Sequence, residues 1–170
     1  FFMLKFQKTI EDFFTLPISF TNIVLSQLVS GIIRGFLIMI ALSIVGIFFG
    51  VGTLMHPFLL FLYVLLISFM FGLIGMVVGI WADDSFEKIG IATNFILTPL
   101  SFLGGAFYSV GMLPTSLQFL VHFNPIFYAI DGIRYCFTGF HDVSLILGIV
   151  ILSSISIIFL GIVVFIFKTG

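Results

Sequence analysis

Long apolar runs separated by short polar clusters set the pattern of the chain. Between Arg34 and Asp83 there is no Asp, Glu, Lys or Arg. A helix crosses a hydrocarbon core about 30 Å thick with roughly 20 residues, so this stretch is too long for one span and fits two if the chain turns in between. "GVGTLMHP", Gly50 to Pro57, supplies glycines, a proline and a histidine for that turn. The same reading predicts four spans: Leu28 to Gly50, Pro57 to Ala82, Ile89 to Tyr108 and Ser144 to Phe167. In lipid each segment must satisfy its own backbone, so the spans should be helices. The predicted fold is all-α: a polytopic integral membrane protein, one helical bundle over residues 1–170. Gly72, Gly75 and Gly79 recur on one face of the second span and suit close helix packing. Pro99 falls inside the third span, where it removes a hydrogen bond and should bend or break the helix.

Two segments are neither span nor hydrated loop. Residues 1–27 are expected to hold the tail of a preceding span, Phe1 to Leu4, and then "TIEDFFTLPIS". Thr9 can cap a short helix, Glu11 and Asp12 suit its N-terminal end, and Pro17 stops or kinks it. Ile10, Phe13, Phe14 and Leu16 form an apolar surface that needs a cover, either lipid or a soluble partner. The acidic flanks favour the partner, because anionic headgroups repel Glu11 and Asp12.

The second such segment is 109–143, punctuated by Pro114, Asn124 with Pro125, and Gly132. "TSLQFLVHF" should form a short helix capped by Thr115 or Ser116 after Pro114, and "IFYAIDGIRYCF" a second one beyond the Asn-Pro break. Both are too short to cross, so they are predicted to dip into the outer leaflet and return. Asp131 and Arg134, three apart on the second helix, can pair and so lower the cost of a charge near lipid depth.

Composition agrees with this class, since 61% of residues are hydrophobic and 8% charged, against about 25% charged in soluble domains. Lys5, Lys8, Lys88 and Lys168 place both ends and "ADDSFEK" in the cytoplasm, with 50–57 and 109–143 outside. A net charge of −1 with no basic patch excludes nucleic acid as a partner. Cys136 cannot form an internal disulfide and reads as a small apolar filler. The opening residues do not form a signal peptide.

Catalytic constellations are sparse. Asp83, Asp84 and Glu87 cluster in one loop and resemble the acidic metal sites of membrane prenyltransferases, the alternative of a polytopic enzyme. Such sites need a second acidic cluster and basic diphosphate partners, which the sequence lacks, so no metal or catalytic residue is assigned. A non-transporting scaffold is a further alternative. His56, His122 and His141 have no ligand spacing, and neither a nucleophile elbow nor a Walker loop is present.

"TIEDFFTLPIS" and the run "TPLSFLGGAFYSVGMLPTSLQFLVHFNPIFYAIDGIRY" together resemble the membrane subunit of ABC-2 type transporters, the permease of ATP-binding cassette exporters. The match rests on Pro99, Gly104, Gly105, Phe107, Tyr108, Leu113, Pro114, Asn124, Pro125 and Arg134, in that order. The resemblance covers the chain as the last four of six spans and the cytoplasmic loop before them. It implies a permease dimer in the bacterial inner membrane, carried on separate ATPase subunits that bind ATP and Mg, with no cofactor in this chain. It also implies that Thr9 to Pro17 form the coupling helix. Residues from Pro99 to Arg134, including Asp131, would form an outer gate beside the path of an amphipathic, lipid-linked or drug-like substrate.

Overall fold

A computed structural model describes residues 20–50, 54–82, 85–108 and 110–169. Among these every regular element is helical: α1 (Phe20–Phe48), α2 (Pro57–Ala82), α3 (Phe86–Ile91), a π-helical stretch (Ala92–Leu97), α4 (Thr98–Leu103), a 3₁₀ turn (Val110–Met112), α5 (Thr115–His122), α6 (Pro125–Thr138) and α7 (Leu145–Thr169). Three of them, α1, α2 and α7, are long and apolar enough to cross a membrane. The expected coupling segment, Thr9, Ile10, Glu11, Asp12, Phe13, Phe14, Leu16 and Pro17, lies outside the described residues, as do Asp83 and Asp84.

The second span has the predicted limits, with Pro57 at the first helical position, where its missing N–H costs nothing. The first begins at Phe20 instead of Leu28. Polar residues at 26, 27 and 30 look like a boundary but are absorbed by the helix, and the Ser26 hydroxyl donates to the Ile23 carbonyl at 2.9 Å.

The third expected span, 89–108, is not one α-helix. Helical residues run from 86 to 103 in three pieces and stop at Gly104. Pro99 explains the interruption: it has no N–H, and its ring crowds the carbonyl four residues back. The π-helical stretch just before it widens the backbone, so that the Thr98 amide bonds to the Thr93 carbonyl, five residues back. The 18 residues rise about 27 Å at 1.5 Å each, short of the roughly 30 Å of hydrocarbon.

At the centre stands α2, which packs against α1, α7, α6 and α3. Val24 and Leu28 of α1 meet Leu73 and Met76 of α2 and Val163 of α7 in one apolar cluster. Gly72 admits Leu28 closely, a Cβ there standing 3.2 Å from Leu28 Cδ2. Gly79 is buried, whereas a Cβ on Gly75 would meet nothing, so the glycine stripe is a packing face at two of its three positions.

The largest cluster joins Tyr63 and Met70 of α2, Val121 of α5, Phe127, Tyr128 and Ala129 of α6, and Leu152 of α7. Gly132, which punctuates the sequence like a breaker, lies inside α6. A Cβ there would fall into the Tyr63 ring, and a Cβ on Gly148 of α7 would stand 2.8 Å from the Tyr63 hydroxyl. Tyr63 is a wedge between two glycines where α2, α6 and α7 cross, and its hydroxyl donates to the Leu145 carbonyl at 3.0 Å.

Candidate translocation surface and outward gate

The short helices α5 and α6 are stopped and started as the Asn-Pro break predicts. Asn124 caps α6, its Oδ1 accepting the Ile126 amide at 3.0 Å, with Pro125 in the first turn. Its Nδ2 reaches the Leu100 carbonyl of α4 at 2.6 Å, so one side chain both begins α6 and ties it to the end of the interrupted helix. The Tyr128 hydroxyl donates to the His122 carbonyl at 2.8 Å, satisfying the C-terminus of α5. At the N-terminus of α5 no side-chain cap forms; Pro114 precedes the helix and its carbonyl accepts the Gln118 amide at 3.1 Å.

Asp131 and Arg134 do come near one another, at 3.9 Å, but each has a stronger partner elsewhere. The Asp131 carboxylate, 3% exposed as a residue, accepts the backbone amides of Asp142 at 2.8 Å and Val143 at 3.1 Å. It thereby fixes the loop that leads into α7. Arg134 Nη1 donates to Asp142 Oδ2 at 3.0 Å, and Nη2 donates to the carbonyls of Gly105 and Tyr108. The same oxygen, Asp142 Oδ2, also accepts the Val110 amide at 3.4 Å. Arg134 and two aspartates therefore bind three segments into one polar hub: residues 104–108 with Val110, helix α6 and the loop 139–144.

Glycine geometry makes the hub's turn feasible. Gly105 has φ 78°, a left-handed conformation that a side chain would strain, and its carbonyl is the one that Arg134 holds. Gly104 lies against Ile126 and Ile130 of α6, a Cβ there standing 3.0 Å from Ile126. Gly139, with φ 70°, ends α6, and the freed Cys136 carbonyl accepts the Met55 amide at 2.9 Å, hooking the start of α2 onto the same region.

Of the residues expected at the gate, Gly104, Gly105, Tyr108, Asn124, Pro125, Asp131 and Arg134 meet in this assembly. Phe107 projects away, 78% exposed, and stacks on Phe102 at 5.6 Å. Pro99 and Pro114 are exposed and take no part in the hub. Asp142, the arginine's main partner, is a functional candidate that the sequence reading missed.

The same reading missed a polar face on the interrupted helix. Thr93, Asn94, Thr98 and Ser101 are all exposed there. Thr93, Thr98, Ser101, Ala106 and Phe107 line a shallow cavity of about 410 Å³. Thr98 Oγ1 donates to the Thr93 carbonyl at 3.0 Å and Ser101 Oγ to the Leu97 carbonyl at 2.8 Å. A hydroxyl has one hydrogen, so these two present lone pairs and aliphatic surface outward. That surface is weakly polar and holds no charge. Of the alternative acidic site, only Glu87 is among the described residues, exposed in the first turn of α3.

Comparison with known proteins adds a family match. The model of the ABC-2 type transporter membrane family matches residues 1–138. The chain is 36% identical over 146 residues to the inner membrane transport permease YadH of Escherichia coli strain K12, a match that covers 86% of this chain and 57% of that protein. YadH of E. coli O157:H7 and of Shigella flexneri match to the same extent. The chain thus spans little more than half the length of these relatives, and no solved structure matches it.

Proposed function

The chain belongs to the ABC-2 type transporter membrane family, and from that premise we propose that it is the last four spans of an exporter permease driven by a separate ATP-binding cassette ATPase. It is a multi-pass membrane protein, and its relatives are named for the inner membrane. In the proposed complex two permease copies face each other, and ATP and Mg are bound by the partner ATPase.

One observation supports the transport reading: an interrupted helix, taken here as the third span, with an uncovered polar face. Irregular backbone and polar side chains at membrane depth are tolerated where they line a cavity or meet protein, not where they face lipid. The interrupted helix has both, a π-helical stretch before Pro99 and the face of Thr93, Asn94, Thr98 and Ser101. We assign that face to the translocation path. With no charge among its four polar residues and with the Thr98 and Ser101 hydroxyl hydrogens already engaged, it suits an amphipathic, lipid-linked or drug-like cargo better than an ion.

The hub then acts as the outer gate's frame. Arg134 and Asp142 hold the turn at Gly104 and Gly105 at the end of the path, and ATP-driven closure shifts the balance between its two arrangements. Residues Thr9 to Pro17 transmit that closure as the coupling helix, so Phe13→Asp should cut transport while sparing the ATPase subunit's own hydrolysis.

Cysteine labelling of the intact permease with its ATPase in vesicles tests the path. Thr98→Cys and Ser101→Cys should change labelling rate with ATP, and Ile44→Cys on the lipid-facing side of α1 should not. Equal rates with and without ATP at 98 and 101 would remove the path assignment.

A further inference from the structure

A second cavity, of about 450 Å³, lies away from the interrupted helix, between α1, α2 and α6. Gly35, Met39, Ser43 and Gly46 of α1 form one wall, with Val64 of α2 and Phe137 of α6 opposite. Along α1 it extends from Gly35 to Gly46, eleven steps of 1.5 Å or about 17 Å. Its size is that of a small-molecule site, about 300–1,000 Å³. None of the polar path residues contributes to it.

Ser43 is the feature that points to an occupant. Its Oγ is buried with no hydrogen-bond partner. The hydroxyls of Ser101, Ser154, Ser156 and Thr138 all donate to the carbonyl four residues back in their own helices. Ser43 forgoes that bond and lines the cavity instead. A hydroxyl without a partner in an apolar surrounding is costly, so the cavity should receive an acceptor there.

The position decides which acceptor. Ser43 lies five residues from the end of α1 at Phe48, about 8 Å along the axis, on the side of the membrane where α6 lies. From there toward Gly35 the lining is apolar except for Ser68, whose hydroxyl lies against Gly35. Its lip continues into the lipid-facing surface of α1, where Ile38 and Leu42 are both lining residues and exposed. With α1 in the bilayer, hydrocarbon chains can reach the opening from this exposed side. We infer that the cavity binds one acyl chain of a glycerophospholipid, with the ester carbonyl accepting from Ser43 Oγ and the chain running toward Gly35. Bound lipid would fill the gap between α1 and α6 beside Phe36 and Met39, which pack against the cluster of Leu60, Val64 and Cys136. This inference needs that α1 and α2 span the membrane and that the exposed side of α1 at Ile38 and Leu42 meets lipid, and it stands apart from the path assignment.

The test uses the intact permease in vesicles of phosphatidylethanolamine and phosphatidylglycerol. These contain a phosphatidylethanolamine whose acyl chain carries a photoactivatable diazirine, and adducts are mapped by mass spectrometry. Adducts should concentrate on 35–46 and 133–138, fall several-fold in Ser43→Ala, and vanish in Ser43→Phe, which fills the cavity. Ser43→Ala removes only one oxygen, so a folding defect does not confound it. Labelling spread evenly over the lipid-facing residues of α1, or unchanged in Ser43→Phe, would overturn the site. So would disulfide-linked dimers of Ser43→Cys, which would show that a second copy covers the cavity.

Discussion

The long helices and the region of short helices and turns before α7, up to residue 144, hold themselves together in different ways. On α1 and α7 the apolar side chains are mostly exposed to what would be lipid: Ile44, Ile47, Ile146 and Phe165 are all more than half exposed. The 14-residue α6, by contrast, buries seven residues and anchors the Arg134 hub. Hydrophobicity brings a helix into the bilayer but cannot choose its neighbour there, since lipid is as apolar as leucine. Position is chosen by glycine contacts and by hydrogen bonds, and these are concentrated where α6 meets α2, α4 and α7.

The largest expected effect comes from removing the hub's cation. Arg134→Ala leaves Asp142 and two carbonyls without their donor, and breaking a buried ion pair costs about 3–5 kcal/mol. The Arg134 side chain is 22% exposed, so water can replace part of the loss, and about 2–3 kcal/mol is expected. Thermal unfolding in detergent, with Ile44→Ala as the lipid-facing control at about 0.5 kcal/mol or less, measures the contrast. A variant that unfolds like the parent and yet changes cargo preference would show that Arg134 meets substrate and does not only hold shape. Arg134→Lys should recover part of the loss, because one ammonium cannot bridge both the carboxylate and the turn as a guanidinium does.

Next comes Gly132→Ala. Its methyl group would fall into the Tyr63 ring, so either α6 or the ring must move, and overpacking of this kind costs about 1–3 kcal/mol. Gly75→Ala in α2 meets nothing within 4 Å and should be neutral or slightly stabilising. If the two alanines behave alike, then glycine spacing alone, not the wedge, governs packing in this bundle. The same unfolding measurement decides it.

How much of this was legible follows from the same contrast. Spans were readable because lipid demands long uncharged runs, and α2 was found to both ends because Pro57 and the acidic residues after Ala82 bound it. The Asn-Pro break was readable too, since a cap and a first-turn proline are local chemistry. The Asp131–Arg134 spacing was visible, but three residues on one helix suggested a pair where each group mainly binds across the turn at Gly139. Partners such as Asp142, and the ring of Tyr63 over Gly132, depend on how separate helices cross, and no local pattern encodes that. The proline in the third segment announced a disturbance without revealing that a wider turn before it would absorb the strain.

Asn124→Ala is expected to cost about 1–2 kcal/mol, the loss of a helix cap plus a tether to Leu100. Asn124→Asp separates the two contributions, since a carboxylate keeps the cap and cannot donate to the Leu100 carbonyl. It should therefore destabilise while leaving the start of α6 intact, as judged by amide exchange at Ile126 and Phe127. Restored protection together with full stability in the Asp variant would mean that the tether contributes nothing.

The smallest effect sets a tertiary hydrogen bond against a local one. Tyr63→Phe keeps the ring between Gly132 and Gly148 and removes only the donor to the Leu145 carbonyl. In an α-helix the carbonyl of the first residue already accepts the amide four residues on, so the phenol is a second donor and nothing is left orphaned. The loss should fall at the low end of about 0.5–1.5 kcal/mol. Ser154→Ala in the same helix removes an exposed hydroxyl that bonds only to its own turn, at Val150, and should change stability by less than about 0.5 kcal/mol. A measurable gap between the two would locate specificity in bonds that cross between helices. Equal, negligible losses would place it in the fit of the Tyr63 ring against the two glycines alone.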